Sequence, residues 1–476
     1  MEKTITHIAV VPSTAHSHFF PVLEFSKRLV HLHPDLHVTC IIPSLGSLST
    51  SSITYLNSLP SNIHSVFLPP ISINDLPQQQ APAFLSKLVI TKSLPSLREV
   101  LNSMCSQTPP LAALVADTLA YEALDLAKEL NILSFVFAPW SATLLSFYLQ
   151  LPKLDEDIVG EFRDCTKPFK IPGCVPIYGK DLPDPVQDRS SEAYKMVVLR
   201  AKTLSSVDGI MLNSFVEMGE GSAKALANNT SGSPPVYLVG PISSQTGSID
   251  EKDRPECMTW LEKQPPRSVL YVSFGSGGTL PQEQLNELAL GLELSGQKFL
   301  WVVRAPSRVS NAAYHASSSS NENPLDFLPK GFLERTKDRG FVVPSWAPQI
   351  QILSHSSVAG FLSHCGWNST LESVVHGVPL ITWPLFAEQK LNAIILNNVL
   401  KVAVRPKVNE KGIVEREEIK EVIKRLMKGE EGKDIYKQMK DLKEAAANAM
   451  KEDASSTETL SQVAHIWRKM GGHQEK

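Results

Sequence analysis

The chain is short of cysteine, of excess charge and of long apolar runs, and each shortage removes a class of protein. Six cysteines stand in 476 residues (Cys40, Cys105, Cys165, Cys174, Cys257 and Cys365), and no two form a CxxC pair. That spacing gives neither a zinc ribbon nor a disulfide framework, so the thiols read as reduced and the protein as cytoplasmic. Lys and Arg number 46 against 49 Asp and Glu, a formal net charge of -3. No basic field is available for nucleic acid or for an anionic membrane. The opening MEKTITHIAVVP lacks the charged-then-apolar layout of a signal peptide. The most apolar later stretch, Leu133 to Leu151, is interrupted by Pro139, Ser141, Thr143 and Ser146. It reads as a strand followed by a helix, not as a membrane span. No GxGxxG follows an early strand, which speaks against a nicotinamide-dependent dehydrogenase. No short-period repeat is present.

What is there is an ordinary globular composition, with 42% hydrophobic and 20% charged residues. The length exceeds one hydrophobic core and calls for two or three domains. Short apolar β-rich runs alternate with helical patterns. Strands are expected at Ile5–Pro12, His37–Pro43, Leu111–Ala116 and Ser134–Phe137, with helices through Leu23–Leu32 and Tyr121–Leu130. The grammar restarts with strand Ser268–Phe274, helix Pro281–Leu294 and strand Phe299–Arg304. It continues through Val358–Leu362, helix Trp367–His376 and Pro379–Trp383. Near-continuous apolar strands joined by helices mean parallel sheets covered on both faces. The fold class is therefore α/β, with two Rossmann-like doubly wound domains facing each other across a cleft. The linker is placed at Pro234–Pro241 and the polar stretch Ser243 to Pro255, giving domains 1–245 and 246–454. Ser307–Asn323, with four consecutive serines, reads as a surface insertion.

In doubly wound sheets ligands bind beyond the carboxyl ends of the strands. Strand Val358–Leu362 ends in His364-Cys365-Gly366, and a helix begins near Trp367-Asn368-Ser369. A helix N-terminus presents unpaired N–H groups and a positive dipole end. With Gly366 allowing close approach and His364, Asn368 and Ser369 adding donors, this is a pyrophosphate cradle. Glu372, one turn on, can accept from ribose hydroxyls. Trp346 offers a flat face to a base. Glu388 and Gln389, after the next strand, suit sugar hydroxyls. Taken singly, each has a plainer reading: a turn, a core aromatic, a helix cap. The order in which they come is what carries information.

The first half ends its first strand at Pro12, followed by Ser13-Thr14-Ala15-His16-Ser17-His18. A histidine at such a strand end is a candidate general base, because its pKa lies near working pH. Asp117 follows Leu111–Ala116 at the equivalent edge of the same sheet and can hold an imidazole in one tautomer. A capping histidine and a turn-forming aspartate are the plainer readings.

The stretch Trp346–Gln389, WAPQIQILSHSSVAGFLSHCGWNSTLESVVHGVPLITWPLFAEQ, resembles the signature box of plant secondary-product UDP-glycosyltransferases without a gap. Leu151–Glu156 (LPKLDE), Ile171–Ile177 (IPGCVPI) and Pro384–Lys390 (PLFAEQK) resemble the group that glucosylates simple phenols, hydroquinone and monolignols. The resemblance implies a GT-B fold, inversion at the anomeric carbon, no metal and no cofactor beyond the donor. It implies a small-molecule acceptor of phenolic, monolignol or flavonoid-like type, and a monomer. It also implies that 455–476 forms a helix packing back on the first domain. It places Trp346 on uracil, Ala347 and Gln349 near the base edge, and Glu372 on ribose. His364, Asn368, Ser369 and Ser276 go to the phosphates, and Trp367, Glu388 and Gln389 to the sugar. UDP-glucose is the implied donor, since Trp367 and Gln389 are residues 22 and 44 of the box.

The same resemblance makes His18, three residues before Pro21, the base and Asp117 its partner; Ser13 and Ser141 become sugar-side contacts. On a helix His16 and His18 differ by roughly 200° in direction, so only one can face the site. Two departures bear on acceptor choice. Ala15, His16 and Ser17 stand where the family has glycines, and Trp140 stands in Pro139-Trp140-Ser141 where the group tends to carry threonine. The competing expectations are a catalytically silent nucleotide-sugar binder, and C-, N- or S-transfer by the same site.

Overall fold

The computed structural model describes residues 5–72, 82–228, 232–243, 254–311 and 323–474. Much of the linker stretch Ser243–Pro255 and of the serine-rich insertion lies outside the described residues.

The chain divides into two compact units. One comprises 1–176, 185–244 and 448–476; the other comprises 177–184 and 245–447. The short segment Ile177–Asp184 therefore groups with the second unit, although sequence order puts it in the first half.

The first unit holds a seven-stranded parallel sheet in the order β3-β2-β1-β4-β5-β6-β7. Its strands are β1 (Thr6–Val11), β2 (Leu36–Ile42), β3 (Ile63–Phe67), β4 (Leu111–Asp117), β5 (Leu133–Ala138), β6 (Gly209–Leu212) and β7 (Val236–Leu238). β1 and β4 are buried along nearly their whole length, as apolar runs flanked by helices on both faces must be. β7 corrects the linker expectation. Val236–Leu238 pairs with Ile210–Leu212 as the edge strand of this sheet. Its flanking prolines are tolerated because an edge strand pairs on one side only.

The second unit repeats the plan with six parallel strands, β10-β9-β8-β11-β12-β13. They are β8 (Val269–Ser273), β9 (Lys298–Val303), β10 (Gly340–Pro344), β11 (Val358–Ser363), β12 (Leu380–Thr382) and β13 (Ala403–Val404). In each sheet the winding direction reverses once, between β1 and β4 and between β8 and β11. Those two switch points are where a doubly wound sheet binds ligands.

The helix after β1 spans His16–Leu32 and so starts well before the expected Leu23. Pro21 lies inside it as the sixth residue, where its missing N–H costs one intrahelical bond, that to the Ser17 carbonyl. The last helix, Ser455–Gln474, lies with the first unit. It inserts Trp467 edge-on against Phe135, with ring centroids 5.3 Å apart, and pairs Arg468 with Asp35 at 2.7 Å. Among the described residues no helix is long and apolar enough to cross a membrane.

Candidate active site

At the first switch point, β1 delivers Ser13 and the helix after it, and β4 ends in Asp117. Nδ1 of His18 lies 2.7 Å from Oδ1 of Asp117. Asp117 is fully buried, whereas the His18 side chain keeps 17% exposure. Burial alone would push the Asp117 carboxyl up. The charge and hydrogen bond of His18, the Ser13 hydroxyl and the Leu119 N–H outweigh it and hold the carboxyl below the usual range. The Thr118 hydroxyl donates to the same Oδ1 at 3.2 Å. A carboxylate kept charged on Nδ1 leaves Nε2 of His18 as the basic nitrogen. His16 is exposed and makes no contact with Asp117; its ring lies against Phe20 at 5.8 Å.

Ser141 and Trp140 follow β5. The Ser141 oxygen accepts from the Leu144 N–H at 3.2 Å and caps the helix Ala142–Asp157. Trp140, the departure from the group's threonine, is buried at 5% exposure. It packs edge-on against Tyr148 at 5.1 Å, with the Arg200 guanidinium over both rings.

At the second switch point, β11 ends in His364-Cys365-Gly366, and the helix Trp367–His376 starts with Gly366 as a cap that has no side chain. His364 is packed between two glycines. A Cβ on Gly275 would lie 2.4 Å from its ring, and one on Gly366 2.5 Å. Burial, with the charge of Arg304 beside it, pushes the His364 pKa down to about 4. The ring is therefore neutral at pH 7, and its buried Nδ1 makes no hydrogen bond among the described residues. Ser276 is exposed on the turn after β8. Arg304 is a member of this group that sequence reading missed. It directly follows β9 and donates to the carbonyls of Gly275 and, at 3.3 Å, Gly278. Its one signal was a cation closing the apolar run Phe299–Val303.

One turn into the helix, Glu372 and Ser369 meet Gln349. The Gln349 amide nitrogen donates to Glu372 Oε2 at 2.7 Å and to Ser369 Oγ at 2.8 Å. Burial pushes the Glu372 carboxyl up to about 7, against the hydrogen bond from Gln349. Trp346 is 69% exposed and Ala347 beside it is buried. Gln349, expected near the base edge, is thus tied to the carboxylate expected on ribose.

The turn after β12 carries Glu388 and Gln389. Gln389 is 3% exposed, and its Oε1 accepts from the N–H groups of Leu385 at 2.8 Å and Phe386 at 3.0 Å. That leaves Nε2, a donor, for a ligand. Buried Asn392, also missed in sequence, donates to the Cys365 carbonyl at 3.0 Å and reaches Glu388 Oε1 at 3.5 Å. It ties the two turns together.

Six non-glycine residues among those described have positive φ, and three of them stand next to candidate ligand-binding positions. They are Ser345 (φ 66) before Trp346, Cys365 (φ 65) before Gly366 and Ala387 (φ 56) before Glu388. Left-handed backbone on residues with a Cβ costs energy and concentrates at sites where geometry matters more than stability.

Comparison with known proteins agrees with this layout. Residues 235–444 match the family described as UDP-glucoronosyl and UDP-glucosyl transferase. The chain is 50% identical over 471 residues to UDP-glycosyltransferase 72B1 of Arabidopsis thaliana, covering 98% of both. It is 48% identical to hydroquinone glucosyltransferase of Rauvolfia serpentina, again over 98% of both. Phytolacca americana UGT2, solved with UDP-2-fluoro-glucose and pterostilbene, superposes with a TM-score of 0.87 at 43% identity, covering 98% of this chain and 100% of that one. With two Rossmann-like sheets of the GT-B type and relatives this similar over full length, the chain belongs to the UDP-glycosyltransferase family, whose members use a UDP-sugar as donor.

Proposed function

We propose that the protein is an inverting, UDP-glucose-dependent O-glucosyltransferase acting on a small phenolic acceptor. The observation that carries this reading is the His18–Asp117 pair, with Nδ1 and Oδ1 2.7 Å apart at the switch point of the first sheet. Asp117 accepts the Nδ1 proton and fixes the tautomer, so Nε2 takes the proton of the phenol. The phenolic oxygen forms its bond to the anomeric carbon as the bond from that carbon to the UDP oxygen breaks. The electron pair leaves with UDP and the anomeric configuration inverts. The helix N-terminus at Trp367, the neutral His364 and Ser276 are the donors that stabilise the leaving diphosphate. In this reading Trp346, Ala347 and Gln349 take the uracil side, Glu372 the ribose, Asn368 and Ser369 the phosphates. Trp367, Glu388 and Gln389 take the sugar, with Ser13 and Ser141 on its acceptor side.

The names of the relatives support this choice of chemistry: one is a hydroquinone glucosyltransferase, and another was solved with a fluorinated UDP-glucose and a stilbene phenol. A paired, tautomer-fixed histidine argues against a silent nucleotide-sugar binder. The test is UDP release with UDP-glucose, with and without a panel of phenols, with products identified by mass spectrometry and NMR. Acceptor-dependent release and a β-O-glucoside are expected. A preference in kcat/KM for UDP-galactose or UDP-glucuronate would refute the donor assignment. Metal independence is part of the proposal: turnover in excess EDTA should match turnover in Mg²⁺.

A further inference from the structure

The segment Ile177–Asp184 leaves the first unit and returns to it at Pro185, yet packs with the second unit. Its last residue touches the turn that carries Glu388 and Gln389. The Asp184 N–H donates to the carbonyl of Ala387 at 3.0 Å. The Asp184 carboxylate lies 2.9 Å from Nζ of Lys390. Asp184 stands between Pro183 and Pro185. Proline fixes its own φ and restricts the residue before it, so this N–H is presented from a stiff stretch of chain.

What it holds is strained. Ala387 has φ 56, a conformation that residues with a Cβ rarely adopt. The other strained turns at the site are anchored within 245–447: Ser345 through its N–H to the Val303 carbonyl at 2.8 Å, and Cys365 through Asn392. From inside its own turn, Ala387 is flanked by the bonds of Gln389 to Leu385 and Phe386. From outside, the visiting segment supplies both a hydrogen bond to its carbonyl and an ion pair to the residue just beyond Gln389.

We propose that Asp184 and Lys390 form a latch that fixes the Leu385–Lys390 turn, making Asp184 a positioning residue for recognition of the donor's sugar. The inference rests on the assignment of Glu388 and Gln389 to the sugar. The latch sets the direction of the Gln389 Nε2 donor without touching the nucleotide cradle at Gly366–Glu372. Its effect therefore falls on the hexose and not on UDP.

The experiment measures binding of UDP and of UDP-glucose by calorimetry, and kcat/KM for UDP-glucose against UDP-galactose. The proteins are the full chain, Asp184→Asn, Lys390→Met, the reversal Asp184→Lys with Lys390→Asp, and Gln389→Ala as reference. A partly exposed ion pair contributes modestly, so each single substitution is expected to weaken UDP-glucose about two- to fivefold. UDP affinity should stay within error, and discrimination against UDP-galactose should shrink by the same factor. The reversal should recover part of the loss. If Gln389→Ala lowers UDP-glucose selectively while both latch substitutions leave it unchanged, the latch is refuted and the sugar assignment stands. If Gln389→Ala spares UDP-glucose, the sugar assignment itself fails. Equal loss of UDP and UDP-glucose in the latch variants would mean a general structural role and would also overturn the proposal.

Discussion

His18 and Asp117 are 99 residues apart in the chain and 2.7 Å apart in the fold. β1 and β4 are neighbours in the first sheet and end side by side, with Val11 opposite Ala116, so the residues just past their ends meet. A proton acceptor on a short helix start is thereby braced by a carboxylate on a strand, the stiffer of the two elements.

Substitution of this pair should separate chemistry from binding. A positioned general base contributes roughly 10²–10⁴-fold, so His18→Ala should lose at least the lower end of that range in kcat while UDP binds normally. Asp117→Ala should lose somewhat less, because a mispositioned imidazole still accepts a proton. His16→Ala, on an exposed ring, should change acceptor KM a few-fold at most. Single-turnover rates of the three variants with one phenol decide this. Retained activity in His18→Ala with loss in His16→Ala would reassign the base.

The glycines around His364 are a second test. A methyl group on Gly366 would sit 2.5 Å from the ring, and Gly275 additionally has φ 71. Either alanine must push the imidazole out of place, and displacements of about 1 Å in a polarising group cost up to about a hundredfold. Gly366→Ala should raise KM for UDP-glucose about tenfold or more, with acceptor KM nearly unchanged. Wild-type donor kinetics in both variants would show that His364 does not meet the donor.

Two groups in the second unit, buried His364 and half-buried Glu372, tilt stability in opposite directions with pH. His364 titrates near 4 when folded against 6.5 when unfolded. The unfolded chain therefore binds more protons between these values, and stability present above pH 6.5 is lost as pH falls towards 4. Glu372 titrates near 7 folded against 4.5 unfolded. Here the folded chain holds the extra proton, so stability present below pH 4.5 is lost as pH rises through 7. Each contribution is at most about 3.4 kcal/mol, less for the half-buried Glu372. Thermal unfolding across pH 4 to 8 should therefore show a flatter acid limb for His364→Gln. Glu372→Gln should gain in melting temperature over wild type as pH rises. Parallel pH curves for all three proteins would contradict both assignments.

What the sequence revealed, and what it hid, follows from sequence distance. β1, β4, β8 and β11 are apolar runs, the last three ending in polar residues, and the helix Trp367–His376 was readable to the residue because Gly366 and Gly377 bracket it. β3 was not read: its five residues, IHSVF, sit at the sheet edge and mix polar with apolar side chains. β7 hid behind two prolines, which read as linker until a partner strand is known. Arg304, Asn392 and Asp184 escaped for another reason. Asn392 and Asp184 have no local pattern, Arg304 only a cation closing an apolar run, and their partners lie 29, 27 and 206 residues away. The motif told which residues to look at, and only the fold told which others hold them.

Gln389 gives the sharpest remaining test, because its two ends do different jobs. Its Oε1 staples the turn through the N–H groups of Leu385 and Phe386, and only Nε2 is left to donate to a ligand, the sugar in the proposed function. Gln389→Glu keeps the staple, with a charged acceptor that strengthens such bonds. It replaces the donor by a second acceptor next to Glu388, where a sugar hydroxyl must now reorient and two carboxylates repel. Gln389→Ala removes staple and donor together. The expected order in kcat/KM for UDP-glucose is a loss of about tenfold for Gln389→Glu and about a hundredfold for Gln389→Ala, since each lost charge-sensitive contact of about 1.4 kcal/mol is a factor of ten. Both should bind UDP as wild type does. Melting temperature should be kept in the glutamate variant and fall by a few degrees in the alanine variant, where two buried N–H groups lose their acceptor. Equal activity in Gln389→Glu and wild type would mean that Nε2 does not contact the sugar, and that position 389 acts through the turn alone.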